Sequence, residues 1–149
     1  MADELADLTH DWAALGTIGV AAVACAHLHD VRRAEKLHAM LVPHGDRFVD
    51  TGPSWFGAAT HHLAVLAGVI GRDDEADERF ASTIEAYAGL GADAWLVRAR
   101  LDWARGLLAR RTPAHTRHAR ALLREAGEAA EHLGLPRVAH RAGALLAKA

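Results

Sequence analysis

The segment Asp30-Val-Arg-Arg-Ala-Glu-Lys-Leu37 recurs twice along the chain, and this repeat decides the predicted fold. Its copies are Arg72-Asp-Asp-Glu-Ala-Asp-Glu-Arg-Phe80 and Thr116-Arg-His-Ala-Arg-Ala-Leu-Leu123. The aligned alanines, Ala34, Ala76 and Ala119, are 42 and 43 residues apart. A period of this length with two helices per repeat is typical of an α-solenoid.

Strong helix formers dominate the sequence outward from these repeats. Alanine fills 34 of the 149 positions, and runs of β-branched residues are nearly absent. The pattern predicts seven helices, at residues 10–28, 31–43, 54–70, 73–89, 93–110, 115–133 and 136–148. We therefore expect an all-α fold without strands, a solenoid of three helical hairpins closed by the seventh helix. This domain spans residues 10–149, and residues 1–9 are an N-terminal leader.

Individual residues mark the ends of these helices. Thr9 and Ser54 are suited to cap the first and third helices. Gly91 and Gly134 suit the left-handed turn that ends a helix, and Pro136 suits the first turn of the last one.

Composition and charge exclude several classes of protein. The formal net charge of −2 gives no general attraction to nucleic acid or to an anionic membrane. One cysteine, Cys25, cannot form an intrachain disulfide, which favours a reducing compartment. The N-terminus lacks the order of a signal peptide, and no apolar run is long enough to span a bilayer. We expect a cytoplasmic protein that does not enter membranes.

Five further segments carry a resemblance to a known family. They are Leu41-Val-Pro-His-Gly-Asp-Arg47, Ala64-Val-Leu-Ala-Gly-Val-Ile-Gly-Arg72, Leu90-Gly-Ala-Asp-Ala-Trp-Leu96, Leu101-Asp-Trp-Ala-Arg105 and Ala129-Ala-Glu-His-Leu-Gly-Leu-Pro136. Over residues 10–149 the chain resembles the tetratricopeptide-type repeats at the C-terminal end of large actinobacterial ATP-dependent regulators. These are LuxR-type transcriptional activators of the maltose-activator class and related nucleotide-cyclase-linked ATPases.

The resemblance implies a tetratricopeptide-like fold and a concave surface formed by the first helix of each pair. Carried over position by position, that surface contains Gly19, Val23, His27, His61, Val65, Arg98 and Arg105. It would be apolar at one end and basic at the other, which suits a helix or an extended peptide with an acidic tip. The chain departs from the family because it lacks the phosphate-binding loop of the ATPase and a recognisable helix-turn-helix. It is either a C-terminal piece of a large regulator or a free-standing relative.

Candidates for catalysis or metal binding are weak. Eleven histidines occur, but none forms the His-Glu-x-x-His signature of zinc enzymes. His61 and His62 are adjacent on a predicted helix, about 100° apart, and are not expected to bind one centre. Cys25 lies among small apolar residues and is expected to be buried and inert. We predict no catalytic residue, no metal site and no cofactor.

The charge is divided between the two halves of the chain. Residues 1–75 hold 5 basic and 11 acidic side chains, whereas residues 76–149 hold 12 basic and 8 acidic ones. Arg117, Arg120 and Arg124 form a basic stripe on one face of the sixth helix. This stripe is either a solvated face with local pairs, such as Arg124 with Glu128, or a contact for an acidic surface.

The acidic surface would belong to a partner protein or peptide, or to a second copy in a homodimer. The last helix carries an apolar face, Val138, Ala142 and Leu145, that an open solenoid end would expose to such a copy. Aromatic residues do not interleave with the arginines as in single-strand binders, so nucleic acid is not an expected partner.

The sequence therefore predicts a non-enzymatic protein-interaction or sensing module, part of or related to a transcriptional or signalling regulator. Two alternatives stay open. One is a sensor domain that binds a small effector in the concave surface, and the other is a metal-binding protein that uses the histidines.

Overall fold

The computed structural model describes residues 14–50 and 55–149, and these residues are mostly helical, at 80%. The α-helices are α1 (Ala14–Leu28), α2 (Val31–Leu41), α3 (Ala59–Val69), α4 (Asp73–Gly89), α5 (Asp93–Ala109), α6 (Pro113–His132) and α7 (Pro136–Leu146). A 3-10 helix, Val42–His44, follows α2, and two strands precede α3, β1 (Phe48–Asp50) and β2 (Trp55–Ala58). The prediction of a mostly helical chain with seven helices is confirmed for the described residues. The leader at residues 1–9 and the caps Thr9 and Ser54 lie outside them.

The chain divides into two compact units, Met1–Arg79 and Phe80–Ala149, and the boundary falls inside α4. In the first unit, α1, α2 and α3 contact one another, and the hairpin of β1 and β2 packs against α1. In the second unit, α6 contacts both α5 and α7. The helices thus pack in sequential pairs. None of the helices in the described ranges is both long enough and apolar enough to cross a bilayer.

The prediction of a chain without strands is wrong, because an antiparallel hairpin precedes α3. Its strands pair with Phe48 opposite Ala58. Aromatic and β-branched side chains concentrate in both strands and favour extended backbone. Gly57 has a φ of 99°, outside the helical region. As a result α3 begins at Ala59 and not at residue 54.

The hairpin covers α1 at Gly19, where the two elements come very close. Val49 of β1 is fully buried in the core of the first unit. A Cβ atom placed on Gly19 would lie 2.8 Å from Val49 Cγ1 and 3.2 Å from His62 Nε2. Glycine is therefore required at this position by the packing of the hairpin and not by the turn of the helix.

Glycines in a left-handed conformation end three of the helices. Gly71, Gly91 and Gly134 follow α3, α4 and α6, with φ of 78°, 63° and 67°. The predictions for Gly91 and Gly134 are confirmed, as is the start of α7 at Pro136. At Gly134 the turn reverses the chain so that α7 packs against α6.

The core of the second unit is formed by small and branched side chains of α5, α6 and α7. Trp103 stacks on Phe80 with ring centroids 5.9 Å apart, and Trp95 contacts Tyr87 at 6.2 Å. The expectation that α7 exposes its apolar face is wrong. Ala142 is buried against α6, and its neighbours Val138 and Leu145 pack on the same core.

Candidate functional site

An open groove lies beside the first turns of α6, and we call it the arginine groove. Its volume is about 560 Å³, and it is lined by Arg111, Thr112, Pro113, Thr116, Arg117, Arg120 and Arg124. The predicted stripe of Arg117, Arg120 and Arg124 thus lies in one groove, and Arg111 joins it from the preceding turn. Sequence reasoning missed Arg111, because its position depends on the geometry of the turn between α5 and α6.

Local sequence determines how the groove is built. Pro113 starts α6, and the Thr112 hydroxyl accepts a hydrogen bond from the His115 backbone N–H at 3.2 Å. This cap fixes the first turn of α6, and Pro113 at the start of the helix also restricts the backbone there. Arg111 precedes the cap with a φ of 56°.

The arginines face solvent because the other side of α6 is the core. Residues of that buried face are Ala119, Leu122, Leu123, Ala126 and Ala130. Arg117, Arg120 and Arg124 follow the spacing i, i+3, i+7, which places them together on the opposite, exposed face.

The charge of the groove is not compensated. In residues 14–50 and 55–149, none of its four arginines forms an ion pair or a side-chain hydrogen bond. The expected pair of Arg124 with Glu128 does not form there. The neighbouring carboxylate of Glu125 lies 3.0 Å from Arg100 Nε of α5 instead. Four guanidinium groups and the positive end of the α6 dipole therefore face one open volume.

The residues predicted for the concave surface fall in both units. In the first unit, Gly19 lies under the hairpin, and His61 is only 2% exposed. Both are core positions and not surface positions, because the hairpin covers α1 and α3 packs inside the unit. Val23 and Val65 are half-buried. His27 is exposed, and its Nδ1 lies 2.9 Å from the carbonyl oxygen of Val23 on its own helix.

In the second unit, Arg98 and Arg105 share a single carboxylate. Arg98 Nε lies 3.8 Å from Asp102 Oδ2, and Arg105 NH1 lies 3.6 Å from Asp102 Oδ1. The Arg98 guanidinium also lies 5.8 Å from the centroid of the Trp95 ring. Their charge is therefore partly neutralised, unlike that of the arginine groove.

Three histidines are buried in the first unit, where they have packing and hydrogen-bonding partners. His38 Nε2 lies 2.9 Å from Glu75 Oε1, and His62 Nε2 lies 2.9 Å from the carbonyl oxygen of Phe56. The rings of His61 and His62 stack with centroids 5.9 Å apart. No three His, Cys, Asp or Glu side chains of the described segments lie close enough to hold a metal ion.

Glu75 connects α2 to the first turns of α4. Arg79 Nε donates to Glu75 Oε1 at 2.8 Å, and Arg72 NH1 lies 3.4 Å from Oε2. Burial alone raises the pKa of Glu75, but the hydrogen bond from Arg79 and the contact with His38 outweigh it and hold the pKa below its ordinary value. An acidic residue in the first turn of α4 thus makes a contact between two helices of the first unit.

Cys25 is buried, as expected, at 5% exposure. Burial raises the pKa of its thiol, and the nearby Asp30 carboxylate raises it further. A neutral, enclosed thiol is a poor nucleophile.

Comparison with protein-family models, curated proteins and solved structures finds no match to this chain.

Proposed function

We propose that the chain is a non-enzymatic protein-interaction module that binds an acidic segment of a partner protein in the arginine groove. The observation that carries this proposal is a set of four arginines around one open groove that have no carboxylate partner among residues 14–50 and 55–149. A groove of about 560 Å³ has room for several side chains of a bound segment.

The chemistry of the lining favours carboxylates as ligands. A guanidinium group donates two parallel hydrogen bonds to a carboxylate, which gives orientation as well as attraction. Exposed ion pairs contribute about 0.2–1 kcal/mol each, so four of them supply about 1–4 kcal/mol. Such binding is weak unless the partner also packs on the apolar atoms of Pro113 and Thr116. We expect fast, salt-sensitive association of the kind that uses electrostatic attraction for encounter.

The proposal includes a tetratricopeptide-like α-solenoid architecture. Its support is the burial of the aligned alanines Ala34, Ala76 and Ala119, which are 0%, 2% and 0% exposed on α2, α4 and α6. Ala34 and Ala76 are each the fourth residue of their helix. The three repeated segments thus place an equivalent small residue in the core, as repeats of one structural unit would.

The biological context is the part of the proposal that depends on the resemblance. As a relative of the repeats of LuxR-type regulators, the module would act in the cytoplasm as part of, or beside, a transcriptional or signalling regulator. Repeats of this kind serve unrelated partners, so the ligand chemistry is argued from the groove and not from the family.

A peptide-binding experiment tests the proposal. A fluorescent peptide rich in Asp and Glu is titrated with the full chain at low salt, and its anisotropy is measured. The variant R117Q/R120Q/R124Q is expected to bind about tenfold more weakly. The matched control is R137Q/R141Q/K148Q, which removes the same charge from exposed positions of the C-terminal region and is expected to bind within about twofold of the parent. Equal loss in both variants would show a non-specific charge effect and reject the groove.

A further inference from the structure

The chain itself contains a segment with the charge that the arginine groove lacks. Residues 1–13 hold four carboxylates, Asp3, Glu4, Asp7 and Asp11, and no lysine or arginine. This segment lies outside the described residues, so its sequence alone enters the argument.

We propose that the acidic segment 1–13 of a second copy of this chain occupies the arginine groove. The inference rests on the proposed function, because it names the acidic segment that the groove binds. It assigns the groove a partner that is present wherever the protein itself is present.

The spacing of charges supports this choice of occupant. Glu4, Asp7 and Asp11 are separated by three and four residues, as are Arg117, Arg120 and Arg124. That spacing puts three side chains on one face of a helix. The three carboxylates thus match the three arginines in number and in sequence separation.

The other acid-rich stretch of the chain is a poorer candidate. Glu75, in the run Asp73-Asp74-Glu75, already receives a hydrogen bond from Arg79 and contacts His38. Freeing it would break contacts inside the first unit.

The contact would join two different surfaces, the N-terminal segment of one copy and the groove of the next. Such an association closes into a dimer when both copies exchange their segments and otherwise continues to further copies. Because the contact pairs carboxylates with exposed arginines, the self-association is expected to fall steeply with salt. An acidic partner protein would compete with it for the same arginines.

Sedimentation velocity of the full chain tests the inference. The parent protein is expected to self-associate at low salt and to dissociate at about 0.5 M salt. The variants E4Q/D7N/D11N and R117Q/R120Q/R124Q are each expected to associate about tenfold more weakly. The control E35Q/E78Q/E85Q removes three exposed carboxylates outside α6 and is expected to leave association unchanged.

Exchange of the charges gives the sharper result. The variants E4R/D7R/D11R and R117E/R120E/R124E are each expected to stay monomeric, and a mixture of the two is expected to associate. Far-UV circular dichroism checks that each variant folds. A measurement with a synthetic peptide does not require a folded variant. A peptide of residues 1–13 is expected to bind the parent chain, and a peptide in which Gln and Asn replace the Glu and Asp residues is expected not to bind.

Three outcomes would overturn the inference. They are a parent chain that is monomeric at all concentrations at low salt, a dimer that the arginine variant does not weaken, and a mixture of exchanged variants that does not associate. A monomeric parent chain would overturn the inference even if the segment 1–13 binds the groove of its own chain. If the Asp- and Glu-rich peptide still binds the groove while self-association is absent, the proposed function stands and this inference fails.

Discussion

Replacing Gly19 with alanine tests the contact that closes the first unit. In a helix interior, Gly→Ala normally stabilises by about 1 kcal/mol, because alanine loses less backbone entropy. At Gly19 the new methyl group would lie 2.8 Å from Val49 Cγ1 and 3.2 Å from His62 Nε2. Such overpacking costs about 1–3 kcal/mol. We therefore expect a net loss of about 0–2 kcal/mol in the free energy of unfolding.

Gly68 provides the matched control in the same unit. It also lies in a helix, α3, and a Cβ atom there would have no neighbour within 4 Å. Gly68→Ala is expected to stabilise by about 0.5–1 kcal/mol, somewhat less than in a helix centre because α3 ends one residue later. The difference between the two variants thus measures the overpacking at Gly19.

Urea unfolding followed by far-UV circular dichroism provides the measurement, and the double variant with Val49→Ala shows the cause. Removing the Val49 methyl groups leaves space for the new Cβ. The two substitutions are therefore expected to be coupled by about 0.5–3 kcal/mol. If Gly19→Ala stabilises as much as Gly68→Ala, or if the coupling is zero, the hairpin does not pack on α1 as described.

Two further variants test the ionic contact in the first unit and the cap in the second. Glu75→Gln is expected to destabilise by about 1 kcal/mol at neutral pH, whereas Asp74→Asn, an exposed neighbour, changes little. The contact with Arg79 and that with His38 lower the pKa of Glu75 in the folded state from 4.5. The stabilisation by Glu75 is therefore complete above pH 4.5 and is lost as the pH falls through the lowered pKa. In chemical unfolding from pH 7 downward, the free energy of unfolding of Glu75→Gln should depend less on pH than that of the parent. Thr112→Ala should lower the stability of the second unit by about 1 kcal/mol in thermal unfolding by losing the α6 cap. Thr116→Ala, one turn later, makes no such cap, and a loss as large as that of Thr112→Ala would contradict the assignment.

The helices and the arginine stripe were predictable because both depend on short-range periodicity. The spacing of Arg117, Arg120 and Arg124 fixes their common face in any helix that covers them. The buried alanines of the repeated segments follow from the same local pattern. Such features can be predicted without information on contacts between residues distant in sequence.

The hairpin and the buried histidines were not predictable in the same way. The segment from Trp55 to Ala58 precedes a long helical pattern, and its pairing partner Phe48 belongs to an earlier strand. Its aromatic residues and Gly57 were the available signal, but the helical pattern after them dominated the interpretation. His38 meets Glu75 over a separation of 37 residues, a contact that no local pattern encodes.

Only the structure shows that the arginines of the groove have no carboxylate partner within the described part of the chain. The sequence offers Glu128 to Arg124 at the i, i+4 spacing of a helical ion pair, and only the structure shows that the pair does not form among the described residues. Glu125, one position after Arg124, lies 3.0 Å from Arg100 Nε of α5. A stripe of arginines is therefore visible in the sequence, whereas its lack of compensation is a property of the fold.

The backbone at Arg111 indicates a compromise between folding and ligand attraction. Gly71, Gly91 and Gly134 each lie two residues beyond the last residue of a helix, in the left-handed conformation, and Arg111 holds the same position after α5. A side chain in that conformation costs about 1 kcal/mol relative to glycine. The chain thus accepts local strain at the one of these four helix ends where the residue adds a charge to the groove. A glycine at position 111 would give a more stable protein with a weaker electrostatic field.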